Sequence, residues 1–244
     1  MFGVQIYTLR DYLKDDNEIK VTAEKLKKMG GHCIQLCHGD EKLEKMCRIF
    51  SEAGITIVGT LSNLDNLEKN TTLFDTCKKY GLKDIGISSS VTTEDEVNAI
   101  IPRVNAFAKK AVENGFTFSY HNHAHEFTRL PSGKTVMDSF LAGFTQDVTF
   151  MPDTFWLQTG GADVREWIGK NSRRITMLHL KDMTVVDRKP TFAEIGQGNM
   201  NFVSITEEAK KAGIDTFIIE QDVCLRDPFE SVEISINYLR RILS

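Results

Sequence analysis

Short apolar segments alternate with amphipathic segments along most of the chain. Eight short segments rich in β-branched and aromatic residues predict strands: GVQIYT, CIQLC, ITIVGTL, DIGISS, FTFSYH, DVTFMPD, ITMLHLK and TFIIEQD. Between them, apolar residues recur on one helical face. The clearest such faces are Ile19, Ala23, Leu26 and Met29; Leu43, Met46, Cys47 and Phe50; and Val97, Ile100, Ile101, Val104 and Phe107. Strands that alternate with helices predict a parallel sheet covered by helices.

A glycine stands between a helical segment and the next strand at five places: Gly30, Gly54, Gly81, Gly115 and Gly213. Glycine suits this position because the residue after a helix often takes a left-handed conformation. The first four glycines are 24, 27 and 34 residues apart, and the 98 residues before the fifth leave room for three more units. The spacing therefore predicts eight βα units.

Eight units predict a single (β/α)8 barrel domain over residues 1–244, which is an ordinary size for that fold. A Rossmann sheet is disfavoured because no G-x-G-x-x-G follows an early strand. Two helix starts are also marked in the sequence. Thr93 and Glu96 have capping-box spacing, and Asp227 precedes Pro228 and Glu230 as a cap followed by a first-turn proline and an acid.

Charge and cysteine content exclude several classes of partner. The net charge is −4, and Lys and Arg form no basic run, which argues against nucleic acid. No apolar run is long enough to cross a bilayer, so no membrane role is expected. Five cysteines, an odd number, and an opening without an apolar leader pattern predict a reduced, cytoplasmic protein.

Four late strands end in metal-binding residue types. They deliver His121, Asp153, His179 and Glu220, with Lys181 beside the third. In a (β/α)8 barrel the strand ends share one rim, where the chemistry lies. A single His or Asp at such a position is more often a cap, but four consecutive strands together favour a divalent metal site. A mixed carboxylate and imidazole set suits Mn, Mg, Co or Zn.

These residues carry a resemblance to a known family. The segments YHNHAHEF, DTFW, RRITMLHLKD, EIGQGNMNF and IIEQD, with the opening GVQIYTLRD, resemble the successive motifs of the sugar phosphate isomerase/epimerase family, the xylose-isomerase-like barrels. The resemblance implies one ion per chain, of the Mn type, and proton transfer beside the carbonyl of a sugar. It also implies that Asp153, His179 and Glu220 are ligands.

The sequence departs from the family pattern at the fourth ligand. His121 stands where relatives carry a strand-five Glu, and Glu126, five residues on, is an alternative fourth ligand. A metal-bound imidazole is a poor base, so an epimerisation that uses two opposed carboxylates is less assured here. Gln35 and Leu61 stand where relatives often carry Glu and His.

The proposed chemistry assigns further roles. Glu220, Glu126 or His123 serves as the base, and Lys181 stabilises charge on oxygen. Tyr7 and Trp156 lie near strand ends, where they stack on a sugar or simply pack against the rim.

Three other features have simpler explanations. Cys33 and Cys37, flanked by His32 and His38, look like a zinc site but alternate on a predicted strand as barrel-filling residues do. Gly196 and Gly198 could bring amides to a phosphate, although a flexible turn is the simpler explanation. Lys181 and Asp182 are expected to form a local ion pair.

The leading interpretation is a metal-dependent isomerase or epimerase acting on a sugar, keto-sugar or inositol derivative. Within the same chemistry, the departure at His121 leaves room for a dehydratase or lyase acting on an oxidised sugar. A sugar-binding barrel that is non-catalytic or needs a partner is the alternative from another class. DNA repair is disfavoured by the acidic charge and by too few rim ligands for a multi-zinc cluster. A homodimer is expected.

Overall fold

Eight parallel strands form the barrel in a computed structural model that describes residues 1–243. The barrel strands are β1 (Phe2–Gln5), β2 (Cys33–Leu36), β3 (Thr56–Ser62), β4 (Asp84–Ile87), β5 (Thr117–His121), β6 (Val148–Met151), β7 (Leu178–Leu180) and β10 (Phe217–Ile219). They are hydrogen-bonded in the order β6-β5-β4-β3-β2-β1-β10-β7. The predicted (β/α)8 architecture is confirmed.

Ten α-helices accompany the strands over this range: α1 (Asp16–Lys28), α2 (Lys42–Glu52), α3 (Leu64–Lys69), α4 (Leu73–Tyr80), α5 (Glu94–Glu113), α6 (Val136–Gly143), α7 (Thr154–Thr159), α8 (Val164–Asn171), α9 (Phe202–Lys211) and α10 (Pro228–Leu243). Short 3-10 turns cover Ile6–Tyr12, His125–Phe127 and Ser172–Arg174. No helix among residues 1–243 combines the length and apolarity needed to span a membrane.

The sequence signals for helix ends are confirmed. All five punctuating glycines have positive φ. Thr93 and Glu96 form a reciprocal capping box at the start of α5. Asp227 Oδ1 accepts hydrogen bonds from the backbone amides of Phe229 and Glu230 at the start of α10. The apolar stripes of α1, α2 and α5 lie against the barrel in one large core.

Strands β6 and β7 close the barrel through two isolated bridges instead of a continuous ladder. One bridge pairs Phe150 with Ile175, and the other pairs Asp153 with His179. In the second, the His179 amide donates to the carbonyl of Pro152 at 2.9 Å. The barrel is thus nearly closed, and two predicted site residues lie on this closing seam.

Two segments differ from the prediction. The first strand ends at Gln5, earlier than predicted, and the chain turns at once into a 3-10 helix that carries Tyr7. After β7, the chain forms an antiparallel hairpin, β8 (Asp182–Val186) and β9 (Lys189–Ala193). Its turn residues, Asp187 and Arg188, both have positive φ without the Asn-Gly or Asp-Gly pair that usually marks such a turn.

The side-chain carboxyl group of Asp84, in β4, is buried beside the neighbouring strands β3 and β5. Asp84 accepts hydrogen bonds from Thr117 Oγ1 and Ser119 Oγ, both at 2.7 Å. Gly59 faces the same residue, and a Cβ there would lie 2.5 Å from the Asp84 carbonyl oxygen. Burial raises the pKa of Asp84 to about 6, although the two hydroxyl groups act to lower it.

This raised pKa predicts a pH-dependent stability. The unfolded pKa is about 4, so the folded state binds the proton more tightly, and the stabilisation is lost as pH rises from about 4 to above 6. Relative to Asp84→Asn, the wild type should lose roughly 2 to 3 kcal/mol of unfolding free energy between pH 4 and pH 7. Urea unfolding at both pH values measures this, with the exposed Asp187→Asn as control. Parallel pH profiles for wild type and Asp84→Asn would contradict it.

Candidate active site

Four metal-competent side chains converge at the carboxyl ends of the barrel strands. His121 ends β5, Asp153 follows β6, His179 lies in β7, and Glu220 follows β10. One ligand atom from each lies within 4.8 Å of the others, and all four residues are buried. Mixed nitrogen and oxygen donors at this spacing could hold one divalent ion.

Two atoms of this cluster are buried and accept or donate no hydrogen bond, namely His121 Nδ1 and Asp153 Oδ2. The other oxygen of Asp153 caps α7 by accepting from the Trp156 amide at 2.9 Å. Burial raises the pKa of Asp153 to about 7, although Lys181 acts to lower it. Burial, with His179 and Lys181, holds the pKa of His121 well below its ordinary value. His121 is therefore a neutral imidazole, the form that binds metals.

Lys181 is fully enclosed among three carboxylates. Its Nζ lies 3.2 Å from Asp153 Oδ2, 3.0 Å from Glu220 Oε2 and 2.9 Å from Asp222 Oδ1. Burial alone would lower the pKa of Lys181, but the three acids outweigh burial and raise it. Burial likewise acts to raise the pKa of Glu220, but Lys181 and His179 hold it well below its ordinary value. Both groups are therefore charged.

The second ring nitrogen of His179 is held by a pair of buried glutamines. His179 Nε2 lies 2.7 Å from Gln35 Oε1, and the same oxygen accepts a hydrogen bond from Gln5 Nε2 at 2.7 Å. The Gln5 amide fixes which end of the Gln35 amide faces His179. Nε2 therefore donates to Gln35, and Nδ1 lies 2.7 Å from Glu220 Oε2, a contact that requires a shared proton between the two atoms. Such an outer hydrogen bond typically orients a metal-binding histidine.

A cavity of about 460 Å³ opens beside this cluster. Its wall includes Tyr7, His123, Trp156, Lys181, Glu220 and Asp222. His123 Nδ1 and Trp156 Nε1 have no hydrogen-bond partner, and Tyr7 is 41% exposed. The structure thus brings the three predicted substrate-binding residues to the wall of one cavity.

Glu126 lies apart from the four metal-competent side chains. Its carboxylate is fully buried, accepts from Tyr120 Oη at 2.7 Å and from the His123 amide at 2.8 Å, and is absent from the cavity wall. Burial raises its pKa to about 7. It groups instead with His123 and His125. Of the two alternatives for the fourth ligand, the geometry favours His121.

The predicted ion pair between Lys181 and Asp182 is wrong. Asp182 does not pair with Lys181, because that lysine is directed at the three carboxylates described above. Asp182 instead accepts hydrogen bonds from the amides of Met183, Gly196, Gly198 and Met200, between 2.7 and 3.2 Å. The amides of Gly196 and Gly198 therefore bind the protein's own carboxylate. Neither of the metal-competent groups within residues 1–243 includes His32, Cys33, Cys37 or His38.

Asp222, Gln5 and the contact of Gln35 with His179 were not predicted from the sequence. Asp222 follows Glu220 by two residues, and this spacing would have placed both side chains on one face of an extended segment. The glutamines gave no signal, because their function comes from a contact across the barrel with His179.

Comparison with known proteins identifies the family. Residues 23–242 match the family model of the xylose isomerase-like TIM barrel, and the chain belongs to that family. A curated relative, inosose dehydratase of Geobacillus thermodenitrificans (strain NG80-2), is 24% identical over 77% of this chain. The match covers 64% of that relative, so the chain spans less than two thirds of its length.

Solved structures share the fold. A sugar phosphate isomerase/epimerase from Parabacteroides distasonis ATCC 8503 superposes with a TM-score of 0.83 at 23% identity, covering 98% of this chain and 97% of that one. The IolI protein, solved with a bound zinc atom, gives a TM-score of 0.69 at 14% identity and covers 100% of this chain and 98% of that chain.

The cluster predicts a specific pattern of metal retention. We expect about one divalent ion per chain after dialysis against Mn²⁺, and loss of most of it in His179→Ala, because one ligand is removed. Glu126→Gln should retain the ion, since Glu126 lies outside the four-residue cluster. Elemental mass spectrometry measures all three proteins. Loss of metal in Glu126→Gln with retention in His179→Ala would reverse the assignment.

The glutamine pair generates a second prediction. Gln35→Leu removes the acceptor of the His179 Nε2 proton and should weaken metal binding by roughly 10- to 100-fold. Gln35→Glu keeps an acceptor there and should bind metal far more tightly than Gln35→Leu. Titration calorimetry with Mn²⁺ gives both affinities, and far-UV circular dichroism checks folding. Wild-type affinity in a folded Gln35→Leu protein would show that the contact does not orient the ligand.

Proposed function

We propose that this protein is a divalent-metal-dependent enzyme that moves a proton beside the carbonyl of a sugar, keto-sugar or inositol derivative. Isomerisation or epimerisation is the reaction that we infer first. The observation that carries this proposal is the buried cluster of His121, Asp153, His179 and Glu220, of which His121 and Glu220 line a cavity of about 460 Å³. The likeness to sugar isomerases, epimerases and a dehydratase supports it.

The residues present fit a divalent ion. His121 Nδ1 is buried without a hydrogen bond, a costly arrangement unless another group satisfies it, and Asp153 Oδ2 has only the ammonium of Lys181 beside it, at 3.2 Å. Both imidazoles can act as neutral ligands, and the carboxylates supply the negative charge. We infer Mn²⁺ first, with Mg²⁺, Co²⁺ or Zn²⁺ as alternatives, because nitrogen and oxygen donors together accommodate each of these ions.

When bound, the ion would polarise the substrate carbonyl and stabilise the negative charge that develops on its oxygen. Glu220 is ionised and lines the cavity, so its carboxylate can take the proton from the adjacent carbon. The ammonium of Lys181 lies 3.0 Å from Glu220 and can stabilise charge on a substrate oxygen. Glu220, as the base, and Lys181, as the group that stabilises charge on oxygen, therefore act from the same side of the cavity.

His123 is the second proton-handling group that we assign. Burial, with the charge of Lys181, lowers the pKa of His123 to about 4, so the imidazole is neutral at physiological pH. The residue lines the cavity, and we assign its imidazole to exchange a proton with a substrate hydroxyl. Glu126 holds the His123 backbone amide and is a positioning residue in this scheme. Tyr7 and Trp156 supply faces on which a sugar ring can stack.

Dehydration is the second candidate reaction, and one observation favours it. His121 occupies the strand-five position at which relatives carry the acid that would serve as an opposed second base. Elimination needs a base that takes the carbon-bound proton and a proton for the departing hydroxyl group, and Glu220 can take that proton and return it to the hydroxyl group, which leaves as water. The inosose dehydratase among the relatives is consistent with this reaction.

Glu220→Gln tests the proposed role of the carboxylate. Turnover of a metal-loaded ketose panel in D₂O should fall at least about 100-fold, because the base is lost. NMR detects deuterium entering the carbon beside the carbonyl, and it separates an isomer or epimer from a dehydrated product. Glu207→Gln is the matched control and should keep the exchange, since Glu207 is exposed and does not line the cavity. Near-normal exchange in Glu220→Gln would contradict the assignment.

A further inference from the structure

The cavity wall has no positive charge left for an anionic substrate. Lys181 is the only lysine or arginine on this wall, and its ammonium is surrounded by Asp153, Glu220 and Asp222. A divalent ion and Lys181 together would balance these three carboxylates. A phosphate dianion would then enter a cavity that offers it no free cation. Burying such an anion without a partner is costly.

The usual phosphate site of this fold is already filled. In many (β/α)8 barrels, the loops after strands seven and eight hold phosphate with backbone amides. Here the Asp182 carboxylate accepts from four such amides, including those of Gly196 and Gly198 at 2.9 and 3.1 Å. At Gly198, a Cβ would lie 2.4 Å from Asp182 Oδ1, so the loop is closed tightly on this carboxylate.

The opposite wall is polar but uncharged. Ser62, Asn63, Asn66 and Ser88 follow β3 and β4 and line the cavity. Among residues 1–243, the side chains of Ser62, Asn66 and Ser88 make no hydrogen bond, and Asn63 uses only its Oδ1, to cap α3. These groups can both donate to and accept from hydroxyl groups. The wall is therefore suited to a polyol.

Basic residues do lie nearby, in an adjoining cavity of about 380 Å³ that shares Tyr7 and Cys37 with the first. Its cations are largely engaged. Arg10 donates to the carbonyls of Tyr7 and Asp222, and Lys45 pairs with Asp16 at 2.7 Å. Lys14 and Lys42 are exposed at the edge of this second cavity. They are therefore poorly placed to offset the free-energy cost of dehydrating a phosphate group.

We propose that this site binds uncharged polyhydroxy carbonyl compounds and discriminates against their phosphate esters. This inference rests on the proposed function. The carbonyl end lies at Glu220 and Lys181, and the remaining hydroxyl groups lie against Ser62, Asn66 and Ser88. Cavity charge, set by Lys181 and its three carboxylates, is the basis of the discrimination.

Equilibrium binding tests this proposal without any turnover. Glucitol and glucitol 6-phosphate are titrated into the full-length, Mn²⁺-loaded protein by calorimetry. We expect the free polyol to bind at least 10-fold more tightly. Equal or tighter binding of the phosphate ester would overturn the proposal. Deuterium exchange on fructose and fructose 6-phosphate, run in parallel, tests the proposed function separately, since a protein without turnover can still show the binding preference.

A charge-insertion variant tests the physical cause. Ser88→Lys places an ammonium on the cavity wall and should reduce the preference for the free polyol at least several-fold. Ser90→Lys, two residues away, exposed and outside the wall, is the matched control and should leave the ratio unchanged. An unchanged ratio in a folded, metal-loaded Ser88→Lys protein would show that cavity charge does not set the preference.

Discussion

The ion-pair cluster centred on Lys181 is the interaction on which the rest of the site depends. One ammonium group lies within 3.2 Å of Asp153, Glu220 and Asp222, and among residues 1–243 the cavity wall holds no other lysine or arginine. Removing one member of such a buried set typically costs 3 to 5 kcal/mol, because the remaining charges lose their partner. The cluster thus holds Glu220 ionised and fixes all three acids in place.

The same lysine ties the site to the closing seam of the barrel. The Lys181 amide and the Thr154 hydroxyl are 2.9 Å apart, and the Lys181 carbonyl oxygen also lies 2.9 Å from that hydroxyl. Beside this contact, Asp153 and His179 form the bridge between strands six and seven. Two ligand-competent side chains are therefore positioned by the backbone contacts that close the fold. Local loosening of the seam would change the distance between them directly.

The sequence predicted the barrel and the side chains that converge at its rim, because both follow from local periodicity. Asp153, His179 and Glu220 each lie at the end of a recognisable strand, and parallel strands bring such ends to one rim. Asp182 and Gln35 were not predictable in this way. Their roles arise from contacts with amides of a later loop and with a histidine on the far side of the barrel. The 3-10 turn that carries Tyr7 was missed because its residues look like a continued strand.

Two of the departures that the family resemblance implies have one electrostatic consequence. His121 and Gln35 are neutral groups where the resemblance implies Glu, always at the first position and often at the second, so the barrel interior has fewer negative charges than that pattern would give. The remaining acids, Asp153, Glu220 and Asp222, match one ammonium and one divalent ion in charge. Two further carboxylates would exceed that balance and would require additional protons or cations in a buried space. Neutral donors at 35 and 121 therefore preserve hydrogen bonding and ligand capacity while keeping the interior close to electroneutral, which is the condition that an uncharged substrate requires.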